Sequence, residues 1–160
     1  MDLMRNLIAT LTAVLLLTHG TAEAQRLRLG DRVPDISIST MLGTHYEEFT
    51  SEHICLIFIH SASEPCVVAL DEFIPEAESY ANDMTIVLLT NEEPTSENAL
   101  LNGYINHYTS VAFDSHGHTF HTFGINYVPF GVIFDRKKER AEWFGAIHHL
   151  KHKTLEEILK

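Results

Sequence analysis

Cysteine is scarce in this chain: two in 160 residues, Cys55 and Cys66. With at most one bridge available, the fold is no disulfide scaffold and must rest on a hydrophobic core. Positive charge is scarce as well. Eleven Lys and Arg stand against 22 Asp and Glu, a formal net charge of −11. That balance excludes the basic face that displaces counterions from a nucleic-acid backbone and does not suit an anionic membrane surface. Repeats, low-complexity stretches and interdomain linkers are absent. What is present is ordinary for a globular protein, 45% hydrophobic and 21% charged residues. The length suits one domain with a core of its own.

The N-terminus carries the longest apolar run, and it is short. Leu7 to Leu17 is eleven residues, against about 20 for a helix that spans a bilayer. Arg5 precedes it, and the small-x-small triplet Ala22-Glu23-Ala24 follows it. This is the pattern of a cleaved signal peptide over residues 1–24, leaving Gln25 as the mature N-terminus of a domain over 25–160. The expectation is an exported protein of the periplasm or cell envelope, with no membrane attachment after cleavage. Such a compartment lets disulfides persist.

An internal bridge is nevertheless not expected. Ile54 to His60 is a continuous run of β-branched, leucine and aromatic residues and reads as a buried strand. Cys55 sits at its start and Cys66 beyond its end. Six residues of strand cover about 20 Å, whereas disulfide Cα atoms lie within about 7 Å. Cys55 reads as a small buried hydrophobe.

The remaining elements follow from periodicity. Ile36-Ser37-Ile38 alternates as a lead-in strand. Leu70, Phe73, Ile74, Ala77, Tyr80 and Ala81 recur at helical spacing and predict a helix over about 66–82, with Pro75 kinking it. Thr85–Thr90 reads as a second buried strand, Glu97–Tyr104 as a helix capped by Thr95 or Ser96, and Val111–Asp114 as a short strand closed by a turn at Ser115-His116-Gly117. Gly131–Asp135, a polar turn and Arg140–Phe144 form a hairpin. Thr154–Lys160 reads as a last helix capped by Thr154. Strand, helix, strand, helix, hairpin and helix describe a mixed sheet flanked by helices.

Four segments in this order carry a resemblance. Gly30-Asp31-Arg32-Val33-Pro34-Asp35 is similar to a Gly-x-x-(Ala/Val)-Pro-Asp opening. Phe58 to Cys66 (FIHSASEPC) resembles Phe-Trp-Ala-Ser-Trp-Cys-x-Pro-Cys. Val128-Pro129 matches a cis-proline loop, and Val132-Ile133-Phe134-Asp135 with Trp143-Phe144-Gly145 matches a closing hairpin and glycine. Over residues 29–160 the chain resembles the TlpA/ResA-type (redoxin) branch of the thioredoxin superfamily, exported thiol–disulfide oxidoreductases. The resemblance implies a thioredoxin-like α/β fold, a site built from Ser63, Glu64, Pro65 and Cys66 facing Val128 and Pro129, a protein thiol or disulfide as partner, and no cofactor.

The departure from the pattern bears on function. Ser63 stands at the position of the nucleophilic cysteine. A thiolate at a helix N-terminus is stabilised by the macrodipole; a serine hydroxyl stays protonated and forms no disulfide. Cys66, at the resolving position, remains as the candidate redox thiol. The chain then reads as a monothiol Ser-x-x-Cys protein unable to run a dithiol cycle alone. A second reading is a redox-inactive module that binds a partner or peptide beside Pro129. A third aligns Ser63-x-x-Cys66 with the end of the peroxiredoxin motif as a one-cysteine peroxidase. Ile59 stands where that motif has proline, and Val128-Pro129 replaces its arginine, the charge that activates the thiolate.

The histidines form two groups, His116, His118 and His121, and His148, His149 and His152. Without an argued ligand set they read as solvated surface residues, and no metal is assigned. His148 and His152 would be an i, i+4 chelate only if that stretch were helical. His60 ends the central strand near Cys66, either packing there or lowering the thiol's pKa. Glu92-Glu93-Pro94 reads as a solvated loop, Trp143 as half-buried, and Tyr104, Tyr108, Phe113, Phe120, Phe123, Tyr127 and Phe130 as packing residues.

Overall fold

The computed structural model describes residues 27–160. The signal-peptide expectation for residues 1–24, and the cut before Gln25, lie outside the described residues. Among the described residues no helix is long and apolar enough to cross a membrane.

The buried runs form the centre of the sheet. β2 (His53–Ile59) and β3 (Met84–Thr90) are buried at every position. They read as continuous apolar runs because both faces of the sheet are covered. Cys55, Ile57 and Ile59 point to one side and Ile54, Leu56 and Phe58 to the other, the two-residue period of a strand. With β1 (Thr40–Leu42), β4 (Thr109–Phe113), β5 (Phe130–Asp135) and β6 (Arg140–Ala146), they make one six-stranded sheet in the order β1-β4-β3-β2-β5-β6. β2, β3 and β4 run parallel; β1, β5 and β6 pair antiparallel to their neighbours. The expected mixed sheet is therefore present.

One face is covered by α1 (Glu64–Ala77), a 3-10 segment (Ser96–Tyr104) and the C-terminal α3 (His152–Ile158). The other is covered by extended chain containing Val33, Ile36, Ile38 and Phe49, and by the five-residue α2 (His118–Thr122).

Several expectations are corrected. Ile36–Ile38 is extended but is not a strand. Its partner is a side chain: Ser37 donates its N–H to Thr119 Oγ1 (2.8 Å), and the same hydroxyl donates to the Ser37 carbonyl (3.0 Å). Pairing with β4 begins only at Thr40. α1 starts at Glu64, two residues before the expected boundary; it continues past Pro75 to Ala77 and tightens into a 3-10 turn at Glu78–Tyr80. Ser96–Tyr104 is 3-10 rather than α-helical, although Thr95 does cap it, accepting from the Glu97 N–H at 3.3 Å. The turn at Ser115-His116-Gly117 leads directly into α2, a helix not expected from the sequence. Asp114 at the end of β4 accepts the N–H groups of His118 (3.0 Å), Thr119 (2.7 Å) and Phe120 (3.2 Å), an anionic cap on the helix start. α3 begins at His152 and is not capped by Thr154. Glu76 of α1 reaches across to accept the His152 N–H at 2.9 Å, and the Tyr80 hydroxyl bonds His152 Nδ1 at 2.7 Å. A cap supplied by a distant element leaves no local sequence signature. Tyr127 is exposed but packs edge-on against Phe130, with ring centroids 5.3 Å apart, whereas Tyr108, Phe113 and Phe123 are buried.

Candidate functional site

The site lies at the carboxyl ends of the parallel strands, where open α/β sheets place their ligands. Ile59, the last residue of β2, pairs with Thr90, the last of β3. Two residues beyond each stand Ser61 and Glu92, and the matching register brings them together. Glu92 Oε2 accepts the Ser61 N–H (2.8 Å) and the Thr90 hydroxyl (2.6 Å), while Oε1 accepts the Ser61 hydroxyl (2.6 Å). His60 Nδ1 lies 3.8 Å from Oε1 and also accepts the Ala62 N–H at 3.3 Å. Burial pushes the Glu92 carboxyl up. The hydrogen bonds from Ser61 and Thr90, with a smaller contribution from His60, outweigh that and hold it below the ordinary carboxylate range. Glu92 is thus not part of a solvated loop. It ties the turn before α1 to the end of β3. The sequence signal was its position two residues past a buried strand that runs parallel to the site strand.

The Ser61-Ala62-Ser63 turn launches α1. Ser63 donates its N–H to the His60 carbonyl (3.1 Å), and its own carbonyl accepts the N–H groups of Cys66 (3.0 Å) and Val67 (3.1 Å). Ser63 is the N-cap, but its hydroxyl makes no capping bond. Glu64 and Pro65 follow in the first turn. Proline fits there because the N–H it lacks would have no partner inside the helix, and an acidic residue suits the positive end of the helix dipole. Cys66 is the third helical residue, and its side chain turns inward. It is 1% exposed and belongs to the apolar cluster of Ile57, Leu70, Phe73 and Ile133. Cys55 lies in the same cluster, 0% exposed; both thiols are free, and burial pushes the Cys55 thiol up.

The Val128–Pro129 peptide is cis. Val128 packs against the core on both sides of the sheet, while Pro129 borders an open groove of about 410 Å³. Its other walls are Glu64, Pro65, Val68, Ala69, Glu72 and His148. The structure therefore brings Glu64, Pro65 and Pro129 to one surface. Cys66 lies beneath it, and Ser63 and Val128 do not line it. Val68, Glu72 and His148 were missed because nothing local marks them. Val68 and Glu72 sit on the outer face of α1, and His148 arrives from the 3-10 turn after β6.

The remaining histidines do not assemble. His116, His118 and His121 are exposed on and around α2. His148 and His149 sit in a 3-10 turn that ends before α3 begins at His152, so the i, i+4 chelate does not form. Among the described residues no group of three His, Cys, Asp or Glu side chains is placed to hold a metal.

The comparisons agree on architecture. No family model matches the sequence, and no curated protein matches it. Solved structures do. One is a thioredoxin-like protein in its oxidised form, 16% identical, TM-score 0.66, covering 83% of this chain and 97% of that one. Another is a putative thiol:disulfide interchange protein DsbE from Chlorobium tepidum, 19% identical, TM-score 0.56, covering 75% and 86%. A third is a peroxiredoxin-like protein from Aquifex aeolicus, 13% identical, TM-score 0.58, covering 76% and 77%. The chain has the thioredoxin-like fold, an architecture it shares with redox proteins of more than one kind.

Proposed function

We propose that this chain is an exported thioredoxin-fold binding module. The groove beside Pro129 takes an extended segment of a partner protein, and Cys66 does not exchange disulfides in the folded state. Export is supported by the pattern of Arg5, the apolar run and Ala22-Glu23-Ala24. The observation that carries the rest is the placement of Cys66: its side chain is 1% exposed, beneath a groove that is itself open. Thiol–disulfide exchange requires the sulfur to reach a partner's disulfide. In a Cys-x-x-Cys site that contact belongs to the first cysteine, here Ser63, whose hydroxyl forms no disulfide.

The monothiol reading asks Cys66 to make the first attack from inside the core. The peroxidase reading asks the same, and Val128-Pro129 stands where that motif has its arginine; Arg136 and Arg140 are bound to the Ser51 and Gly30 carbonyls and Arg32 to Glu139. The groove, by contrast, needs no rearrangement to be used. Its wall is the apolar strip Pro65, Val68, Ala69 and Pro129, with Val68 51% exposed and Tyr127, two residues before Pro129, 55% exposed. These are two of the four large hydrophobic side chains most exposed among the described residues.

The test is reduction of a disulfide-bonded protein substrate by dithiothreitol. The chain at micromolar concentration is expected to leave the rate at that of the blank. Acceleration that disappears when Cys66 is replaced by alanine in a folded variant would overturn the proposal.

A further inference from the structure

We infer that the segment the groove accepts is cationic: an extended peptide with an apolar residue flanked by Lys or Arg. This rests on the groove reading above and adds the chemistry of the partner. The apolar strip of Pro65, Val68, Ala69 and Pro129 is bracketed along α1 by Glu64 in the first turn and Glu72 two turns later. Residues eight apart on a helix share a face and are separated by about 12 Å. An extended peptide advances about 3.3 Å per residue, so side chains four positions apart reach both carboxylates, and the one midway faces Val68. The period of two puts all three on the same side of the peptide.

The carboxylates lining the groove are Glu64 and Glu72, and the nearest lysine, Lys151, lines the neighbouring crevice together with Glu72 and Glu76. Glu64 and Glu72 are exposed or nearly so and form no ion pair. Among the described residues the ion pairs lie elsewhere, at Arg32–Glu139, His53–Glu142, His60–Glu92, Lys138–Asp135, His152–Glu156 and Lys153–Glu157. The one basic-type side chain lining the groove is His148. A chain of net charge −11 adds a long-range field that draws in cations and repels acidic segments. The positive end of the α1 dipole pulls the other way, but it amounts to about half a charge, and the Glu64 carboxylate sits on it.

The test uses the reduced full chain and three labelled peptides without cysteine, read by fluorescence anisotropy at low salt. They share the spacing x-Ala-Leu-Ala-x, with x as Lys, Gln or Glu. The Lys peptide is expected to bind about tenfold tighter than the Glu peptide, since two exposed, solvent-screened charge contacts change from attractive to repulsive between them. The Gln peptide falls between, and the preference shrinks as salt rises. Glu64→Lys with Glu72→Lys is expected to reverse the order while the far-ultraviolet circular dichroism is unchanged. Equal affinities for the three peptides would overturn the charge inference and leave the groove reading intact. Absence of binding by all three at millimolar concentration would overturn both.

Discussion

Ser63→Cys is expected to form an internal disulfide with Cys66 and to give the chain an exchange activity that the wild type lacks. The two positions are the N-cap and the third residue of α1, closed by the hydrogen bond from the Cys66 N–H to the Ser63 carbonyl at 3.0 Å. Side chains three apart at a helix start lie about 5–6 Å apart at Cβ in a regular turn. Local rotation brings them into bridging range, because the N-cap residue is extended rather than helical (φ −86°, ψ 109°). The new thiol would sit half-exposed at the positive end of the helix, which favours its thiolate. Cys66 would then take the one role its burial permits, attack on a neighbouring mixed disulfide. Mass spectrometry after alkylation checks this. Oxidised variant should add one label fewer in denaturant than wild type, and reduced variant one more, since Cys55 reports as a buried control. A folded variant with every thiol free in oxidised glutathione would show that Ser63 and Cys66 are not a displaced redox pair.

Glu92→Ala is expected to be strongly destabilising although it lies outside the hydrophobic core. The carboxylate serves three donors, the Ser61 N–H, the Ser61 hydroxyl and the Thr90 hydroxyl, each within 2.6–2.8 Å. Thr90 is 0% exposed, so its hydroxyl has no easy access to replacement water. Stranding buried donors costs about 1–3 kcal/mol each, and partial hydration of the Ser61 end puts the sum at about 2–4 kcal/mol. For a domain of this size that lowers Tm by about 10 °C. The carboxyl is held below its ordinary range in the folded state. Its ionised form is therefore what stabilises the fold, fully above the ordinary carboxylate pKa and progressively less as pH falls through the lowered folded value. The gap in stability between wild type and Glu92→Ala should be widest near neutrality and narrow below about pH 4. Urea unfolding at a series of pH values measures it; a gap that stays constant into acid would show that the carboxylate's charge is not what matters.

The two variants separate what the sequence could say from what it could not. β2, β3 and the hairpin were legible because their residues are buried on both faces or paired locally, and burial writes itself into composition. Pro129 was legible because a proline before a strand is a local signal, whereas the α1 start was expected two residues late, at Cys66, although Pro65 in its first turn marks it. Elements held by distant partners were not legible. Glu76 capping α3 and Thr119 standing in for a strand partner of Ser37 each bond across elements whose adjacency exists only in the fold. Glu92 belongs with them. Its neighbours Glu93 and Pro94 are exposed, and nothing in the triplet distinguishes the one carboxylate that turns inward.

At the site, the resemblance of Phe58–Cys66 to a known motif pointed to Ser63, Glu64, Pro65 and Cys66, but not to the direction each side chain takes. Helical geometry separates them: the third helical residue faces the same side as Leu70 and Phe73, four and seven positions on, and so shares their burial. Val68 and Glu72 fall on the opposite side and wall the groove. One motif thus contributes a buried sulfur and an open surface.

The most direct measurement of the central claim is the labelling rate of Cys66 in the native protein. Freeing the sulfur requires α1 to lift from the sheet. Exposing even one of Leu70 or Phe73 costs about 1.5–3 kcal/mol, and both lie on the same helix face within two turns of Cys66. With dithionitrobenzoate in excess at pH 8, neither thiol should react in the folded chain faster than about one-hundredth of its rate in denaturant, and both should appear together on unfolding. One equivalent of thiol reacting at once in the native state, mapped to Cys66 by peptide mass, would contradict the account and return this site to thiol chemistry.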